Sequence, residues 1–393
     1  MKTKTITRER VLEQLKQVRN RTVELCQPLQ TEDYIPQPAP FVSPAKWHLG
    51  HTTWFFEEFV LIPFFEGYKR YHEDFSFLFN SYYNLKGDRI LRVNRGNMTR
   101  PTVKEVYDYR AYVDQVLQYF LEEMEISGKL EETIEIGWNH EQQHQELLLT
   151  DVKYILGHQP LFPSYKENFT LVDTKNASSD WLEYEGGITS VGAGSEGFSY
   201  DNEHERHSVF LAPYAIQSGL VTNGEYIEFI EAGGYENPLL WLDEGWAWVN
   251  EHQMKSPLYW HRVDDGWKYY TLSGLKDIDV ENQLCHISHY EAMAFAEWKG
   301  LRLPTEFEWE NSARDFEWGT RWEWTNSAYL PYPGFRKPEG AVGEYNGKFM
   351  VNQMVLRGAS TATSPGHSRI TYRNFFQSKH QWQCTGIRLA KNL

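Results

Sequence analysis

The chain has 393 residues, which at roughly 100 to 200 residues per domain predicts two or three domains. Hydrophobic residues make up 41% of it and charged residues 24%, a mixture that excludes fibrous and disordered proteins. The 39 basic and 54 acidic residues give a net charge of −15, and the resulting field repels nucleic acid and anionic lipid, so neither is an expected partner.

The cysteines and the N-terminal segment predict a reducing compartment. Cys26, Cys285 and Cys384 are odd in number and too far apart in the sequence for a CxxC pair, which argues against a disulfide framework. The N-terminal segment lacks the apolar stretch of a secretory signal, and no run of about 18 apolar residues occurs. We therefore expect a cytoplasmic protein with no membrane-spanning segment.

The first part of the chain, 1–160, predicts a bundle of four helices. Apolar residues at helical spacing indicate a first helix over 7–25. Ser43 and Pro44 predict the N-cap and first position of a second helix that extends to Phe59. Two further helices are predicted, from Pro101 to Met124 and from Leu130 to Leu156. The long connection 63–100 is rich in aromatic residues and arginines, and such loops are often functional.

The second part, 161–393, predicts an irregular mixture of strands, loops and few helices. Short apolar stretches with glycine and tryptophan replace the helical pattern, among them WAWVNEH. Helices are predicted at YIEFIEAGG and at SHYEAMAFAEWKG, where Ser288 and Glu291 have the spacing of a capping box. The fold class expected for the whole chain is α+β.

The sharpest local signal is the HEQQH segment from His140 to His144. Residues four apart on a helix share a face, so both imidazoles can point at one metal ion, and His51 on the second helix is the candidate third ligand. A histidine pair that is merely structural is the simplest alternative. The segment also matches the HExxH motif of zinc peptidases, although Leu147 stands where one such class needs glycine. Three neutral imidazoles leave a divalent ion with its full charge and open positions, so iron redox chemistry and zinc hydrolysis both stay open.

These segments resemble a known family. SPAKWHLGHTTWFFEEF and WNHEQQHQELLLTD are similar to the DinB-like four-helix domain of the sulfoxide synthases of ergothioneine and ovothiol biosynthesis. ISHYEAMAFAEWKGLRLPTEFEWE, VLRGAS and RITYRNFF resemble the formylglycine-generating-enzyme, or sulfatase-modifying-factor, domain, which has a C-type-lectin-like fold. The resemblance implies an enzyme that uses Fe(II) and O2 to join a thiol to the imidazole C2 of a histidine derivative as a sulfoxide.

The same resemblance implies roles for individual residues. His51, His140 and His144 match the iron ligands of the family. Arg92 and Arg95, three apart and on one face if locally helical, match the arginines that bind the carboxylate of the thiol substrate. Residues expected to contact the histidine derivative are Gln143, Asn374, Phe375 and Phe376. Tyr82 and Tyr83 are the candidate proton donors, with Tyr345 the nearest candidate in the second part of the chain.

The expected substrates are hercynine, cysteine and O2, and the expected product is hercynylcysteine sulfoxide. Alternatives within the family are γ-glutamylcysteine as thiol, unmethylated histidine as acceptor in an ovothiol-type reaction, and a selenium donor. Alternatives of other classes are a zinc hydrolase and a non-catalytic lectin-like binding protein. Formylglycine-generating enzymes bind copper through a cysteine pair, and the wide sequence separation of Cys285 and Cys384 argues against that chemistry here. The sequence does not predict an oligomeric state.

Overall fold

The computed structural model describes residues 7–171, 173–264 and 266–393. The chain folds into two compact units, Met1–Leu161 with Gly340–Val342, and Phe162–Glu339 with Gly343–Leu393. The first unit is helical and the second contains sheets and helices, so the predicted α+β class is confirmed.

The helices, in chain order, are α1 Arg8–Cys26, α2 Ala45–Phe56, α3 Ile62–Phe64, α4 Phe75–Leu78, α5 Val103–Glu123, α6 Gly128–Gly157, α7 Asn223–Glu231, α8 Asp243–His252, α9 His289–Trp298 and α10 Glu306–Ser312. In the first unit α1, α2, α5 and α6 begin and end close to the four predicted helices, whereas the short helices α3 and α4 were not predicted; the helices of the second unit are short.

The strands belong to the second unit. They are β1 Trp181–Tyr184, β2 Gly187–Val191, β3 His207–Leu211, β4 Tyr214–Gln217, β5 Trp260–Val263, β6 Gly266–Thr271, β7 Gly274–Asp277, β8 Trp322–Ala328, β9 Met354–Gly358, β10 Asn374–Phe376, β11 Thr385–Gly386 and β12 Ala390–Asn392. They pair in the orders β1-β4-β12, β2-β3, β5-β6-β7 and β10-β9-β8-β11. The pairs are antiparallel except for β8 with β11, which is parallel.

The first unit is a bundle in which α2 packs against α5 and α6, while α1 packs against α6. Every residue of α2 is buried, so this helix forms the centre of the bundle. A π-helical turn over Glu57–Leu61 continues α2 toward α3. Short helical turns occupy much of the predicted long connection, including α4 and a 3-10 helix over Arg92–Asn97.

Two local predictions need correction. The N-cap of α2 is Pro44 and not Ser43, because the backbone N–H of Ser43 donates to Asp151 (2.8 Å) and its hydroxyl accepts from Arg95 (2.9 Å). The WAWVNEH stretch, predicted to be irregular, lies in α8. By contrast the predicted capping box of α9 is confirmed, since Ser288 and Glu291 exchange backbone-to-side-chain hydrogen bonds of 2.8 and 3.1 Å.

Within the residues that the structure describes, every helix is too short or too polar to cross a lipid bilayer.

Candidate metal centre

Three imidazoles meet between two helices of the bundle. His51 comes from α2, and His140 and His144 come from successive turns of α6. One ring nitrogen from each histidine lies within 4.8 Å of one ring nitrogen of each of the other two, and the ring centroids are 4.6 to 5.0 Å apart. Metal–nitrogen bonds of about 2.1 Å place ligand nitrogens roughly 3 to 3.5 Å apart, so small side-chain shifts suffice for binding. The role of these three residues as ligands stays a prediction.

Two glycines allow the close approach that brings the rings together. A Cβ on Gly137 of α6 would lie 2.6 Å from the ring of Phe56 on α2. A Cβ on Gly50, next to His51, would lie 2.1 Å from the ring of Phe79. Any larger residue at either position would push these groups apart, because the neighbouring rings fill the space.

Burial keeps the imidazoles neutral, which is the form that binds metal. It lowers the pKa of His140 to about 3 and, together with the charge of His140, lowers the pKa of His51 and His144 well below the ordinary value. Each ring therefore carries one N–H and one lone pair near neutral pH.

A hydrogen bond of His51 shows which of its ring nitrogens has the lone pair that can bind a metal. Its Nδ1 lies 2.7 Å from the backbone oxygen of Phe79, an atom that only accepts, so Nδ1 carries the hydrogen and donates. Nε2 of His51 is then the unprotonated nitrogen. A backbone carbonyl is a common outer-shell partner of metal-binding histidine because it fixes both tautomer and ring orientation.

Two hydrogen bonds, from His48 to Asp151 and from His144 to His48, show which ring nitrogen of His144 carries the hydrogen. Asp151 accepts from Nε2 of His48 at 3.0 Å, so Nδ1 of a neutral His48 has the lone pair. That atom lies 2.9 Å from Nδ1 of His144, which must then donate, and Nε2 of His144 is left as the ligand atom. Burial lowers the pKa of His48 despite Asp151, in keeping with a neutral ring.

Sequence reasoning missed the roles of His48 and Asp151, although their spacing contains the signal. His48 lies one turn before His51 on α2, and Asp151 lies two turns after His144 on α6. Residues at these spacings share a helix face, so His48 lies on the same face of α2 as His51, and Asp151 lies on the same face of α6 as His144.

A stack of rings continues from the centre in both directions. Trp47 lies parallel to His51 at a centroid distance of 4.5 Å, and Trp54 lies on the other side of His51 at 5.4 Å. Tyr83 contacts Trp54 at 5.6 Å. The guanidinium of Arg95 covers Trp47 at 3.3 Å. We call Trp47, His51, Trp54 and Tyr83 the ring stack. It holds the His51 imidazole in one plane and connects it with two of the predicted substrate-handling residues.

Arg95 is a buried charge of an unusual kind. Its guanidinium donates to the hydroxyls of Ser43 (2.9 Å) and Ser81 (3.2 Å), and among the described residues no carboxylate lies within ion-pair distance of it. Burial and the neighbouring charge of Arg92 lower its pKa well below the ordinary value. Other buried arginines pair with glutamates: Arg19, Arg357, Arg373 and Arg388. Asp151 is the negative charge that acts on Arg95 from a greater distance, and the role of Arg95 in binding a substrate carboxylate stays a prediction.

Arg92 and Arg95 lie in the same 3-10 helix, in which residues three apart share a face. Arg92 is exposed and donates to the backbone oxygen of Phe41. The two predicted carboxylate-binding residues therefore differ, since Arg95 is buried against Trp47 and Arg92 lies at the surface.

The two tyrosines of the connection also differ. Tyr83 is fully buried and packs on Trp54 and, at 5.1 Å, on Phe59. Tyr82 is half-buried and stacks on Tyr83 at 4.6 Å. Only Tyr83 of the pair belongs to the ring stack.

The glutamate of the HEQQH segment points away from the imidazoles. Glu141 accepts hydrogen bonds from Arg19 (2.9 Å), Arg110 (2.5 Å) and Thr22 (2.6 Å) and is fully buried. Burial alone would raise its pKa, but Arg110 and Arg19 outweigh burial and hold the pKa at about 2. A carboxylate held by two guanidinium groups is a poor general base, so this arrangement disfavours the zinc-peptidase interpretation.

Two segments of the chain match known family models. Residues 14–148 match the family model of the DinB superfamily, and residues 169–321 match that of the sulfatase-modifying factor enzyme 1-like domain. A hercynine oxygenase from Mycolicibacterium smegmatis is 30% identical over 253 residues, covering 52% of this chain and 58% of the relative. One from Mycobacterium tuberculosis is 28% identical over 301 residues, covering 64% and 69%. The chain therefore joins a DinB-like segment to a sulfatase-modifying-factor-like segment, and this fusion is similar to the hercynine oxygenases.

A more distant relative of this fusion is ergothioneine biosynthesis protein 1 from Schizosaccharomyces pombe. It is 22% identical over 232 residues, which cover 50% of this chain and 28% of the relative. The match to the Mycolicibacterium smegmatis protein spans less than two thirds of that protein's length.

The remaining predicted substrate residues of the fusion lie in both units. Gln143 is half-buried on α6, one turn after His140. Asn374, Phe375 and Phe376 form β10 in the second unit, where they pair with β9. Phe375 stacks on Tyr329 at 4.0 Å, so at least this ring also has a packing role. The contacts of these residues with a histidine derivative stay predictions.

Proposed function

We propose that this fusion is a non-haem Fe(II)- and O2-dependent sulfoxide synthase that joins the imidazole C2 of hercynine to the sulfur of cysteine, giving hercynylcysteine sulfoxide. The observation that carries the proposal is the group of three neutral imidazoles on α2 and α6, of which those of His51 and His140 are buried and that of His144 is half-buried. The similarity to hercynine oxygenases and to ergothioneine biosynthesis protein 1 supports the substrate and the pathway.

The donor set fits a divalent ion of borderline softness such as Fe(II). His51, His140 and His144 would hold it through nitrogen, and two of them have hydrogen bonds that fix the tautomer with Nε2 unprotonated. Fe(II) held there would supply the redox chemistry that activates dioxygen. Because no carboxylate belongs to this group of ligands, the ion would keep its full charge and open positions for substrate donors.

The overall reaction balances with one molecule of dioxygen. Hercynine loses the hydrogen at C2, cysteine loses the thiol hydrogen, and a C–S bond forms with the loss of two electrons. Oxidation of sulfur to the sulfoxide removes two more electrons. One oxygen atom enters the sulfoxide and the other leaves as water, so four electrons reduce O2 completely.

In this proposal two arginines, Arg95 and Arg92, bind and orient the thiol substrate. Arg95 receives the substrate carboxylate as a two-pronged donor, which adds a direct ion pair to the more distant negative charge of Asp151. Its stack on Trp47, which in turn stacks on His51, fixes the guanidinium relative to the centre. Arg92, in the same 3-10 helix, adds positive charge at the surface.

Tyr83 is the proposed proton donor. A phenol donates a proton without carrying charge at neutral pH, and the Tyr83 ring lies in the ring stack with His51. Gln143, Asn374, Phe375 and Phe376 are proposed to contact hercynine, whose trimethylammonium group cannot donate hydrogen bonds and is best held by aromatic faces.

The test is oxygen consumption by protein loaded anaerobically with Fe(II). We expect consumption only when hercynine and cysteine are both present, with a sulfoxide-linked product identified by mass spectrometry. His140→Ala should lose both metal and activity, whereas His158→Ala, which removes an exposed imidazole after the same helix, should keep both. Parallel assays with histidine, γ-glutamylcysteine and a selenium donor separate the substrate alternatives. Peptide hydrolysis by the zinc-loaded protein, without oxygen consumption by the iron-loaded protein, would refute the proposal.

A further inference from the structure

A second group of metal-binding side chains lies in the second unit. The thiols of Cys285 and Cys384 and a ring nitrogen of His286 all lie within 4.8 Å of one another. All three residues are buried, with exposures of 7%, 0% and 2% for Cys285, Cys384 and His286. The two cysteines are far apart in the sequence, and the fold brings their thiols together.

Backbone contacts hold the two segments beside each other. The backbone N–H of Trp322 donates to the oxygen of Cys384 at 2.9 Å, next to the parallel pairing of β8 with β11. The side chain of Thr385 accepts from the backbone N–H of Ile287 (3.1 Å) and donates to its oxygen (2.6 Å). The residue after Cys384 is therefore bonded to the residue after His286, which fixes the distance between the segments before any ion binds.

The backbone at His286 turns two neighbouring side chains toward one point. In extended chain, successive side chains point to opposite faces, so Cys285 and His286 would normally diverge. His286 has φ of +64°, in the left-handed region that non-glycine residues seldom adopt. Its ring packs edge-on against Tyr259 at 4.8 Å. This conformation brings the imidazole to the same side as the thiol.

A positive charge lies beside the segment that carries Cys285. The guanidinium of Arg321 is buried and donates to the backbone oxygens of Leu284 at 3.1 Å and Gln283 at 3.0 Å. A guanidinium in this position favours a thiolate over a neutral thiol.

We propose that Cys285, His286 and Cys384 bind a thiophilic d10 metal ion, Zn²⁺ or Cu⁺. Two thiolates and one imidazole are soft and borderline donors that select these ions over Mg²⁺ or Ca²⁺. Metal–sulfur bonds of about 2.3 Å and metal–nitrogen bonds of about 2.0 Å put the ligand atoms roughly 3.5 to 4 Å apart, close to the present arrangement. The site shares no residue with the histidine centre and does not depend on the proposed sulfoxide synthase activity.

The test uses the full chain carrying His140→Ala, so that metal at the histidine centre is not counted. Zn²⁺ and, under anaerobic reducing conditions, Cu⁺ are added in separate experiments, and bound metal is measured after desalting. We expect about one equivalent of one ion, which identifies the preferred metal. Adding Cys285→Ser or Cys384→Ser should reduce binding at least tenfold, whereas adding Cys26→Ser, a buried thiol of the first unit, should leave it unchanged.

X-ray absorption at the metal edge keeps the test independent of variant folding. The loaded protein should show two sulfur ligands and at least one nitrogen ligand. Binding of neither ion, or binding that survives both serine substitutions in folded protein, would overturn the proposal. Detection of Cys285 disulfide-bonded to Cys384 in protein purified without reductant would overturn it as well.

Discussion

Nδ1 of His48 lies 2.9 Å from Nδ1 of His144, and the other nitrogen of His48 lies 3.0 Å from Asp151. This buried relay determines which nitrogen of His144 is available to a metal, so His48 is a positioning residue for the proposed centre.

Replacing His48 tests the relay by a matched pair of variants. His48→Phe keeps a ring but can neither accept from His144 nor donate to Asp151, and we expect metal affinity to fall by about 10- to 100-fold. His48→Gln can make both hydrogen bonds and should keep most of the affinity. Titration with Fe(II) or Co(II) measures both variants, and circular dichroism checks their folding. Equal affinities for the two variants would contradict the assigned tautomer.

Removing the buried charge of Arg95 should damage substrate binding more than folding. We expect Arg95→Met to raise the KM for cysteine by roughly 30-fold or more, because a buried carboxylate that loses its partner costs at least about 2 kcal/mol. Binding of hercynine should change much less. Steady-state oxygen consumption with each substrate varied in turn measures the two effects.

Arg373→Met is the stability control for Arg95→Met. Arg373 is paired with Glu306 at 2.8 Å, and its loss leaves a buried carboxylate, so we expect the free energy of unfolding to fall by about 3 kcal/mol. Arg95→Met leaves no buried carboxylate behind and should cost clearly less. Denaturant unfolding of both variants compares the values. A larger loss of stability for Arg95→Met would show that Arg95 is structural.

Glu141 should matter for stability and not for chemistry. Glu141→Gln leaves Arg19 and Arg110 buried with only part of their counter-charge, and we expect unfolding to become easier by about 3 to 5 kcal/mol. Glu13→Gln, an exposed change on α1, should have almost no effect. A folded, metal-loaded Glu141→Gln protein of normal stability that lost only a hydrolytic activity would instead favour the zinc-peptidase interpretation.

The two tyrosines can be separated by their products. Tyr83→Phe should keep metal binding and divert oxidation toward cysteine sulfinate, because the ring that packs on Trp54 would no longer donate a proton. Tyr82→Phe should keep the product ratio, since the half-buried Tyr82 ring stacks on the outer member of the ring stack, Tyr83. Quantitative mass spectrometry of both products gives the ratio. If neither substitution changes it, the proton donor is a different residue.

Local sequence patterns were sufficient to predict the main helices of the bundle. The apolar spacing of α1 and α5 and the four-residue spacing of His140 and His144 depend only on helix geometry, so they could be predicted. The relay from Asp151 through His48 depends on the relative rotation of α2 and α6, which the sequence pattern does not define. Likewise Cys285 and Cys384 become neighbours through long-range strand pairing, and no local sequence pattern predicts that the two cysteines lie close together.

A buried histidine in the second unit should make folding sensitive to acid. Burial, followed by the charge of Arg369, lowers the pKa of His367 to about 3, and Tyr372 is its other polar neighbour, with its hydroxyl 3.4 Å from Nε2. Below pH 6.5 the unfolded chain binds a proton at His367 and the folded chain does not. The neutral His367 therefore makes its full contribution to the free energy of unfolding above pH 6.5, and this contribution is lost progressively as the pH falls to about 3. The slope is about 1.4 kcal/mol per pH unit. We expect the free energy of unfolding to fall between pH 7 and pH 5 by about 2 kcal/mol more in the wild type than in His367→Phe, as measured by urea unfolding. Parallel pH profiles for the two proteins would show that His367 is protonated in the folded state or accessible to water.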